Sequence, residues 1–430
     1  MTFFHTRSRD ELMADNFRPT GDLIEEVAMQ EFNRPPALVA NAHITGLGVA
    51  RALSRHGVPV IALDRSGDGV APPSDAVSLA GRVSYPLEDP ESFREDIEAI
   101  AASTDHAPVA FGCMDEWVQG FASKPAGVRV PFATDRSEDI LDKVSLYGFA
   151  EDLGVPYPET YRISDSGADT SVSSTERLES RTSEEALNKL GLPLVIKPAL
   201  KRPFEEAFGT NVVEVGSQTE YDEIVEHADQ EGIRIMAQEK VPVATGKDRS
   251  LASYIPPEGD PIGLVGNAEI RYPRGFGTSC VVRHVEDPGI RNQALSILQS
   301  AGYYGISESE FVYDRTREQY VILDINTRPW KWITLPVVAG FNLPYAAYAN
   351  AVGASYSPGE STASRWVFLE DYAQLLAGGH EDVLSRSEWV SIVSGEFDKT
   401  VAGVYDPADP EPTYSMLQST FQEREYYCSC

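Results

Sequence analysis

Three side chains with hard oxygen atoms lie in two neighbouring apolar segments. Glu310 lies in the segment 308–313, and Asp324 and Asn326 lie in the segment 320–326. Both segments have the composition of β-strands, and residues two apart on a strand point to the same face. If the segments pair as a hairpin, Glu310 meets the other two across the ladder. Such oxygens on an apolar face favour a hard cation, Mg²⁺ or Mn²⁺, bound with substrate phosphates. The alternative is the solvated polar face of a surface hairpin.

Two lysines occupy positions that could bind an anion. Only nine of the 36 Lys and Arg residues are Lys. Lys143 begins a predicted helix, and Lys197 lies within the apolar strand predicted over 194–198. An ammonium inside an apolar strand is costly unless it meets an anion such as a phosphate. The alternative is a strand-edge position from which the side chain reaches solvent.

Three arginines lie close to these segments in the sequence. Arg328 is the next residue on the strand face shared by Asp324 and Asn326, while Arg271 and Arg283 lie upstream of the hairpin. The planar guanidinium group binds carboxylates and phosphates with two parallel hydrogen bonds. The three arginines are therefore candidate ligands for an anionic substrate or intermediate.

A βαβ pattern near the N-terminus predicts a parallel sheet. Its elements are predicted strands over 37–41, 58–64 and 109–114 and a predicted helix over 46–56. The third strand leads into Asp115 and Glu116, at the carboxyl edge where parallel sheets bind ligands. The alternative for Asp115 is that it caps the following helix.

Asp64 ends the second of these strands, about 20 residues after Gly46 and Gly48, as an acid does in dinucleotide-binding sequences. The third glycine of that pattern is missing. We therefore interpret the segment as a Rossmann-like unit without a dinucleotide, and a nicotinamide-dependent oxidoreductase is the alternative.

The charge balance argues against several kinds of partner. The chain has 66 Asp and Glu residues against 36 Lys and Arg, a formal net charge of −30. Such a surface repels nucleic-acid phosphates and anionic lipid, so neither nucleic acid nor a membrane is an expected partner. The acids are scattered along the chain, as suits a protein that stays hydrated in high salt, and we predict a halophilic protein.

Cysteine usage and hydropathy predict a cytoplasmic location. The four cysteines, Cys113, Cys280, Cys428 and Cys430, show no disulfide spacing. No segment approaches the roughly 18 apolar residues of a transmembrane helix, and the N-terminus lacks the apolar core of a signal peptide.

The order and spacing of several motifs resemble those of the ATP-grasp carboxylate–amine ligases. The motifs are Asp142-Lys143, Gly154-Val-Pro-Tyr-Pro-Glu-Thr160, Pro193-Leu-Val-Ile-Lys197-Pro198, Gln238-Glu239-Lys-Val241, and Glu310-Phe311 followed by Asp324-Ile-Asn326-Thr-Arg328. The resemblance covers residues 37–352. The C-terminal residues Trp366, Asp371, Trp389 and Asp409-Pro410 are similar to those of the D-aspartate-ligase-like branch.

The resemblance implies an α/β protein with α+β ATP-binding lobes and the ATP-grasp fold. The implied parts are an N-terminal extension (1–36), a Rossmann-like pre-ATP-grasp domain (37–135), a small lobe that covers ATP (136–236), a large lobe with the metal site (237–352) and a C-terminal extension (353–430).

The resemblance also implies a set of ATP-binding residues. They are Lys143 and Lys197 at the phosphates, Gly209 and Thr210 above them, Glu239, Lys240 and Val241 at the adenine, and Asp248 at the ribose.

A second implied set surrounds the reacting groups. It comprises Glu310, Asp324 and Asn326 as ligands of Mg²⁺, Lys197, Arg283 and Arg328 as catalytic residues, and Asp115, Glu116, Arg271, Gly277 and Arg283 around the substrates. Three features depart from the family. Asp324 stands where the family usually has the longer Glu, and the segment 202–210 is bulky and acidic rather than rich in glycine. The segment 273–279 replaces a more usual Gly-Gly sequence beside the substrates.

The implied activity is ATP-dependent amide formation between small-molecule substrates. A carboxylate attacks the γ-phosphate of ATP to form an acyl phosphate and ADP, and an amine then displaces the phosphate. The oligomeric state, a homodimer included, is left open. A non-catalytic or regulatory ATP-binding protein is the alternative from another functional class.

Overall fold

The computed structural model describes residues 17–67, 69–135, 143–164, 178–199, 201–210, 212–273, 277–395 and 399–420. Within these ranges the strands form three sheets of four, five and seven strands. The mixture of parallel and mixed sheets with helices confirms the predicted α/β class. Cys428 and Cys430 lie outside these ranges.

The N-terminal unit is a parallel sheet with helices on both faces. Its elements are α1 (Thr20–Met29), β1 (Ala37–Ala40), α2 (Ile44–Ser54), β2 (Val60–Asp64), β3 (Leu79–Arg82), α3 (Pro90–Ala102), β4 (Val109–Gly112) and α4 (Asp115–Ala122). The strand order is β3-β2-β1-β4. Strands β2 and β3 are added on one side of β1, and β4 is added on its other side. This change of side opens a crevice at the carboxyl ends of β1 and β4. Asp115 begins α4 beside this crevice.

The described part of the predicted N-terminal extension belongs to this unit. Leu23 and Val27 of α1 are fully buried in one of its hydrophobic cores. Gly81 of β3 lies so close to α1 that an added Cβ would stand 2.6 Å from a Leu23 methyl group. Residues 17–36 therefore cover the edge of the sheet rather than forming a separate segment.

The small lobe contains the five-stranded sheet. Its elements are α5 (Lys143–Leu153), β5 (Thr160–Ile163), β6 (Ser180–Arg181), α6 (Ser183–Leu190), β7 (Leu194–Pro198), α7 (Lys201–Phe208), β8 (Val213–Val215), α8 (Gln218–Gln230) and β9 (Ile235–Glu239). The strand order is β6-β5-β9-β7-β8. Capping boxes at Thr182 and Ser217 begin α6 and α8. Because β9 pairs with β7, the lobe extends to Glu239 rather than ending at 236.

The large lobe contains the seven-stranded sheet. Its elements are β10 (Asp248–Ile255), β11 (Ile262–Tyr272), β12 (Thr278–Val285), α9 (Pro288–Ser300), β13 (Gly305–Asp314), β14 (Gln319–Asn326), α10 (Thr334–Val338), α11 (Leu343–Ala351), β15 (Arg365–Val367), α12 (Leu369–Ala377), α13 (Arg386–Ser394), β16 (Thr400–Ala402) and α14 (Glu411–Thr420). The strand order is β14-β13-β10-β11-β12-β15-β16. Since β15 and β16 complete this sheet, the predicted C-terminal extension is an integral part of the large lobe.

The two faces of the large sheet have different neighbours. The face that carries Ser250, Gly266 and Glu310, here called the site face, also carries Ala252 and Ile306, which pack in one hydrophobic core with α2, α10 and α11. The opposite face carries a second apolar set, Leu251, Val265 and Phe311, that packs against α5 and α9. The sheet is therefore enclosed on both sides, and polar groups on it need partners.

Within the described ranges, none of the helices is long and apolar enough to cross a membrane.

Candidate active site

The predicted hairpin of β13 and β14 is confirmed. The strands pair antiparallel with Glu310 opposite Asp324 and Glu308 opposite Asn326. Directly opposed residues share a face, so these side chains all lie on the site face, as the period of two predicts for Glu310, Asp324 and Asn326. A register shift between Glu310 and Phe311 marks a bulge at this point, a device that commonly redirects side chains near functional sites.

Asn326 and Arg271 hold the carboxylate of Glu310 between them. The Asn326 Nδ2 donates to Glu310 Oε1 at 3.0 Å and to Glu308 Oε2 at 3.4 Å. The Arg271 Nη2 donates to Glu310 Oε2 at 3.3 Å. Glu308 is buried, and sequence reasoning did not select it. The signal was its spacing of two residues from Glu310, which places both carboxylates on one face.

Arg271 also contacts Asp248 and Gly277, and with Glu308, Glu310 and Asn326 these residues form the charged cluster of the site face. Its Nε donates to Asp248 Oδ2 at 2.7 Å and its Nη1 donates to the carbonyl oxygen of Gly277 at 3.3 Å. Burial opposes the charge of Arg271, but the carboxylates of Glu310 and Asp248 outweigh burial and raise its pKa above the usual value. Arg271 is therefore a fixed cation on the site face.

Asp248, which the resemblance implies at the ribose, lies beside Arg271 on the site face. Its side chain is buried against Arg271, and burial raises its pKa although Arg271 opposes the shift. Among the residues that the structure describes, none makes a hydrogen bond with the buried Asp248 Oδ1. The structure thus places Asp248 in the charged cluster, where it orients Arg271.

Arg328 joins the large lobe to the crevice of the N-terminal unit. The Arg328 Nε donates to Asp115 Oδ1 at 2.6 Å, and its Nη1 donates to the carbonyl of Pro329 at 3.1 Å. Burial lowers and the negative charge of Asp115 raises the pKa of Arg328, and the net shift is upward. The neighbouring Glu116 is buried and accepts from the Tyr85 hydroxyl at 3.3 Å. The predicted substrate residue Asp115 and the predicted catalytic residue Arg328 thus pair with each other.

Arg283 does not join the cluster, which corrects the prediction that it lies at the reacting groups. Asn267 is the register partner of Arg283, whereas Gly266 lies in the same row as Glu310. Adjacent residues of a strand point to opposite faces, so Arg283 and Glu310 lie on opposite sides of the sheet. The Arg283 side chain is 52% exposed and pairs with Glu269 at 2.9 Å.

Of the two predicted phosphate-binding lysines, the structure describes the surroundings of Lys197 only. In β7, Leu194 and Ile196 face the helix layer of the lobe. By alternation, Lys197 points to the other face together with its register partner Met236, which packs in the core shared with the large lobe. Lys143 begins α5, and its side chain lies outside the described part of the chain.

A buried hydrogen-bond network that sequence reasoning missed links the small-lobe sheet to the large lobe. The Gln238 Nε2 donates to the Tyr147 hydroxyl at 2.9 Å and to the Thr160 hydroxyl at 2.8 Å. Tyr147 in turn donates to the carbonyl of Leu323 in β14 at 3.0 Å. The network ties the small-lobe sheet to the strand that carries Asp324.

The segment implied to be a phosphate loop is a helix. Residues Lys201–Phe208 form α7, in which Phe204 is fully buried and stacks on Phe208. Gly209 follows with a φ of 69°, and Thr210 Oγ1 donates to the carbonyl of Val212 at 3.0 Å. The aromatic residues explain the difference, because they supply an apolar helix face that a glycine-rich loop lacks.

The hinge between the lobes is held by Arg317. Its guanidinium contacts Glu239 and Asp314, each at 2.6 Å, at the end of β9 and of β13. Lys240 pairs with Glu214 at 2.5 Å on the surface of the small lobe. Burial opposes ionisation of Asp314, but hydrogen bonds from Arg317 and Thr316 outweigh burial and lower its pKa. The hinge geometry thus depends on an ionised carboxylate.

We expect the substitution Asp314→Asn to destabilise the protein near neutral pH and to matter less in acid. The pKa of Asp314 is lowered from an unfolded-state value of about 3.9. Its stabilisation is therefore fully present above that pH and is lost as the pH falls through the lowered folded-state pKa. Urea unfolding of both proteins between pH 7 and pH 3 measures the difference, and a difference independent of pH would contradict this account.

The donor set on the site face fits Mg²⁺ by its chemistry. Glu308, Glu310, Asp324 and Asn326 offer carboxylate and amide oxygens, which hard divalent cations prefer. The fit concerns the donor types and not their spacing, because within the described ranges no group of three or more His, Cys, Asp or Glu side chains is placed to hold a metal ion. Arg271 supplies the positive charge beside Glu310 in this arrangement.

The Asp64 carboxylate accepts backbone hydrogen bonds from two loops, the one after β1 and the one after β2. Its Oδ2 accepts from the amide of Ala42 and its Oδ1 from the amide of Arg65, both at 2.8 Å, and the residue is buried. These bonds hold the buried carboxylate against the ends of β1 and β2. The Rossmann-like unit without a dinucleotide stays a prediction.

The sequence matches no protein-family model and no curated protein sequence. Solved structures do match it. The N5-carboxyaminoimidazole synthetase from Staphylococcus aureus is similar with a TM-score of 0.60 and 13% identity, over 81% of this chain and 86% of that one. The L-amino acid ligase from Bacillus licheniformis has a TM-score of 0.53 and 15% identity, over 77% and 76%. The biotin carboxylase from Campylobacter jejuni has a TM-score of 0.56 and 15% identity, over 76% and 74%.

These neighbours are ATP-grasp enzymes. Identities this low establish the shared fold and leave the reaction to be argued from the residues. The order of the three sheets, the parallel N-terminal unit and the hairpin of β13 and β14 agree with that fold. The chain therefore has the ATP-grasp fold, with a Rossmann-like unit before the two lobes.

Proposed function

We propose that this protein is an ATP-dependent carboxylate–amine ligase that forms an amide bond and releases ADP and phosphate. The observation that carries the proposal is the cluster of Glu308, Glu310, Asn326 and Arg271 on the site face, with Asp324 in register beside it. Oxygen ligands beside a fixed guanidinium suit phosphoryl transfer, which needs positioning and charge neutralisation rather than a protein nucleophile. The solved structures that resemble the chain include a synthetase described as complexed with ADP and an amino-acid ligase.

Each lobe would have a distinct task. ATP would lie between the lobes, with its phosphates near Lys197 and its adenine at the hinge of Glu239–Val241. Mg²⁺ held by Glu310, Asp324 and Asn326 would neutralise the phosphate charge. Arg271 would stabilise the acyl phosphate as a positively charged hydrogen-bond donor.

The substrate carboxylate would enter from the crevice of the N-terminal unit. Arg328 and Asp115 mark the place where that crevice meets the site face. The amine would then attack the acyl carbon and displace phosphate. One C–N bond forms, the C–O bond to the phosphate breaks, and the amine nitrogen releases one proton to the solvent.

The direct test is a screen for ADP release with a panel of amino acids, other carboxylates and amines. Since the net charge of −30 predicts a protein adapted to high salt, the screen should be run in molar KCl as well as in dilute buffer. Release of ADP that requires both a carboxylate and an amine would support the proposal. Failure of every pair to release ADP from folded protein would refute it.

A second candidate is an ATP-binding protein that does not turn over. The helix α7 in place of a glycine-rich loop and the short Asp324 favour it. Calorimetric titration with ATP and Mg²⁺, combined with the ADP-release screen, distinguishes the two candidates. The second candidate predicts ATP binding without any ADP release.

We expect the substitution Lys197→Met to weaken ATP binding by about 10- to 100-fold. A hydrogen bond to a charged group contributes about 1.5–3 kcal/mol, which corresponds to that range of affinity. Calorimetric titration with ATP measures the change. The matched control is Lys189→Met on the exposed surface of α6, which should bind ATP like the wild type. Equal affinity of the two variants would contradict the assignment of Lys197.

A further inference from the structure

Lys331 is a buried lysine outside the predicted site. It lies in the loop 327–333 that follows β14, and its side chain is 6% exposed. Its Nζ lies 2.7 Å from Asp371 Oδ2, 3.2 Å from Thr278 Oγ1 and 3.9 Å from the centre of the Phe368 ring. Burying an ammonium is costly, and good geometry with several partners is what offsets the cost. Lys331 has such a set of partners.

The partners of Lys331 come from two other parts of the large lobe. Asp371 lies in the first turn of α12, where the helix dipole favours a negative charge. Phe368 precedes that helix, and its amide donates to the carbonyl of Cys280 in β12 at 2.9 Å. Thr278 is the first residue of β12. The side chain therefore connects the end of β14, the start of β12 and the C-terminal segment 365–377.

The loop that carries Lys331 crosses the site face. Trp332 packs on β11 at Gly266, where an added Cβ would lie 2.9 Å from the Trp332 ring. The glycine thus permits the close approach of the loop to the strand. Because sheet order places β13, β10 and β11 between β14 and β12, the loop spans much of the width of the site face.

The connection continues from Thr278 to the charged cluster. The preceding residue is Gly277, whose carbonyl accepts a hydrogen bond from Arg271 at 3.3 Å. Arg271 in turn binds Glu310 and Asp248. A shift of the first residues of β12 would therefore move a hydrogen-bond acceptor of the cation that faces the carboxylates.

We propose that Lys331 and Asp371 form a positioning pair, through which the C-terminal segment holds the start of β12, and with it Arg271, in place against the site carboxylates. The catalytic part of this inference rests on the proposed function. Its structural part does not, because the placement of Thr278 and Gly277 can be measured without turnover. The alternative is that the pair stabilises the fold and has no effect on the site.

The test uses the double variant Lys331→Met/Asp371→Leu of the full chain. Replacing a buried ion pair by apolar residues of similar volume often preserves stability, whereas removing one partner leaves a buried charge. We expect unfolding close to that of the wild type and at least about tenfold faster hydrogen exchange at the amides of 277–280. With an active substrate pair, kcat should fall by about 10- to 100-fold, as a small displacement of a catalytic group would cause.

Two further variants complete the experiment. Thr278→Val keeps the ion pair and removes only the hydroxyl that Lys331 contacts, so it should reproduce the faster exchange to a smaller extent even if the double variant does not fold. Glu388→Gln is the control, because it loosens the pair of Glu388 with Arg365 in the same C-terminal segment, and Arg365 is the register partner of Arg283 rather than a member of the site face. It should leave both exchange at 277–280 and kcat unchanged.

The outcomes separate the two proposals. Wild-type exchange at 277–280 in the double variant and in Thr278→Val would overturn the positioning role. Faster exchange with an unchanged kcat would overturn the catalytic part of the proposal, because the start of β12 would then move without affecting the reaction. If the wild type releases no ADP with any substrate pair, the proposed function fails, and the exchange measurement alone decides whether Lys331 positions the start of β12.

Discussion

Replacing Glu310 with glutamine is expected to lower the rate of ADP formation by about 10²- to 10³-fold. The variant keeps the shape of the side chain and its hydrogen bond with Asn326, but it removes the negative charge that faces Arg271. The loss of one preorganised electrostatic contact at a reacting group commonly has an effect of this size. Steady-state measurement of ADP release at saturating ATP gives the change in kcat.

The control for this prediction is Glu226→Gln. Glu226 is an exposed carboxylate of α8 that accepts a hydrogen bond from Gln230. Surface substitutions of this kind change stability little, so the variant should keep both its stability and the wild-type kcat. The Mg²⁺ dependence provides a second readout, because Glu310→Gln should require a higher Mg²⁺ concentration for half-maximal rate. A Glu310→Gln enzyme with wild-type kcat and Mg²⁺ dependence would show that the carboxylate plays no part in the chemistry.

Replacing Asp115 with asparagine is expected to destabilise the protein by about 3–5 kcal/mol. The Arg328 guanidinium is almost fully buried, and Asp115 is its nearest charged partner at 2.6 Å. Removing one member of a buried pair leaves an uncompensated charge, which has a cost in this range. The free energy of unfolding from denaturant titration measures the effect.

A double variant shows whether the charge or the shape of Asp115 matters. Asp115→Leu combined with Arg328→Met removes both charges, so most of the lost stability should return. Glu91→Gln is the matched surface control, since Glu91 pairs with Arg94 at 3.8 Å with an 81% exposed side chain. If Asp115→Asn unfolds at the same denaturant concentration as Glu91→Gln, the pair does not join the N-terminal unit to the large lobe.

The hairpin shows which part of the site the sequence could predict. Apolar residues alternate with Glu310, Asp324 and Asn326 in two segments separated by a short polar turn. The period of two depends only on backbone geometry, so the shared face follows from the spacing alone. Glu308 satisfies the same spacing, and a strict application of the rule would have included it.

Strand β10 shows where local pattern fails. Its residues Asp248–Ile255 contain two buried serines, Ser250 and Ser253, and the strand lies between β11 and β13. A strand covered on both faces needs no alternation of polar and apolar residues. Its segment therefore shows no clear strand pattern in the sequence, although it lies within the large sheet.

Arg271 and Arg283 show that the sequence alone could not predict which face of the sheet a side chain occupies. Both follow largely apolar residues, and nothing in their sequence neighbourhood separates them. Register shifts near Ile270 in the pairing of β11 with β12 change the alternation just before Arg271. As a result, Arg271 reaches Glu310 while Arg283 points to the opposite side and pairs with Glu269.

The sequence by itself determined the α/β class, the hairpin and the common face of Glu310, Asp324 and Asn326, because strand periodicity is a local property of the chain. Only the tertiary structure decided the charge pairs around them. Arg328 meets Asp115 across 213 residues, and Lys331 meets Asp371 across 40. Such contacts depend on the order of strands in the sheets, on bulges and on the packing of the N-terminal unit against the large lobe. None of these is encoded in the spacing of neighbouring residues, and so the cation beside the carboxylates became visible only in the folded molecule.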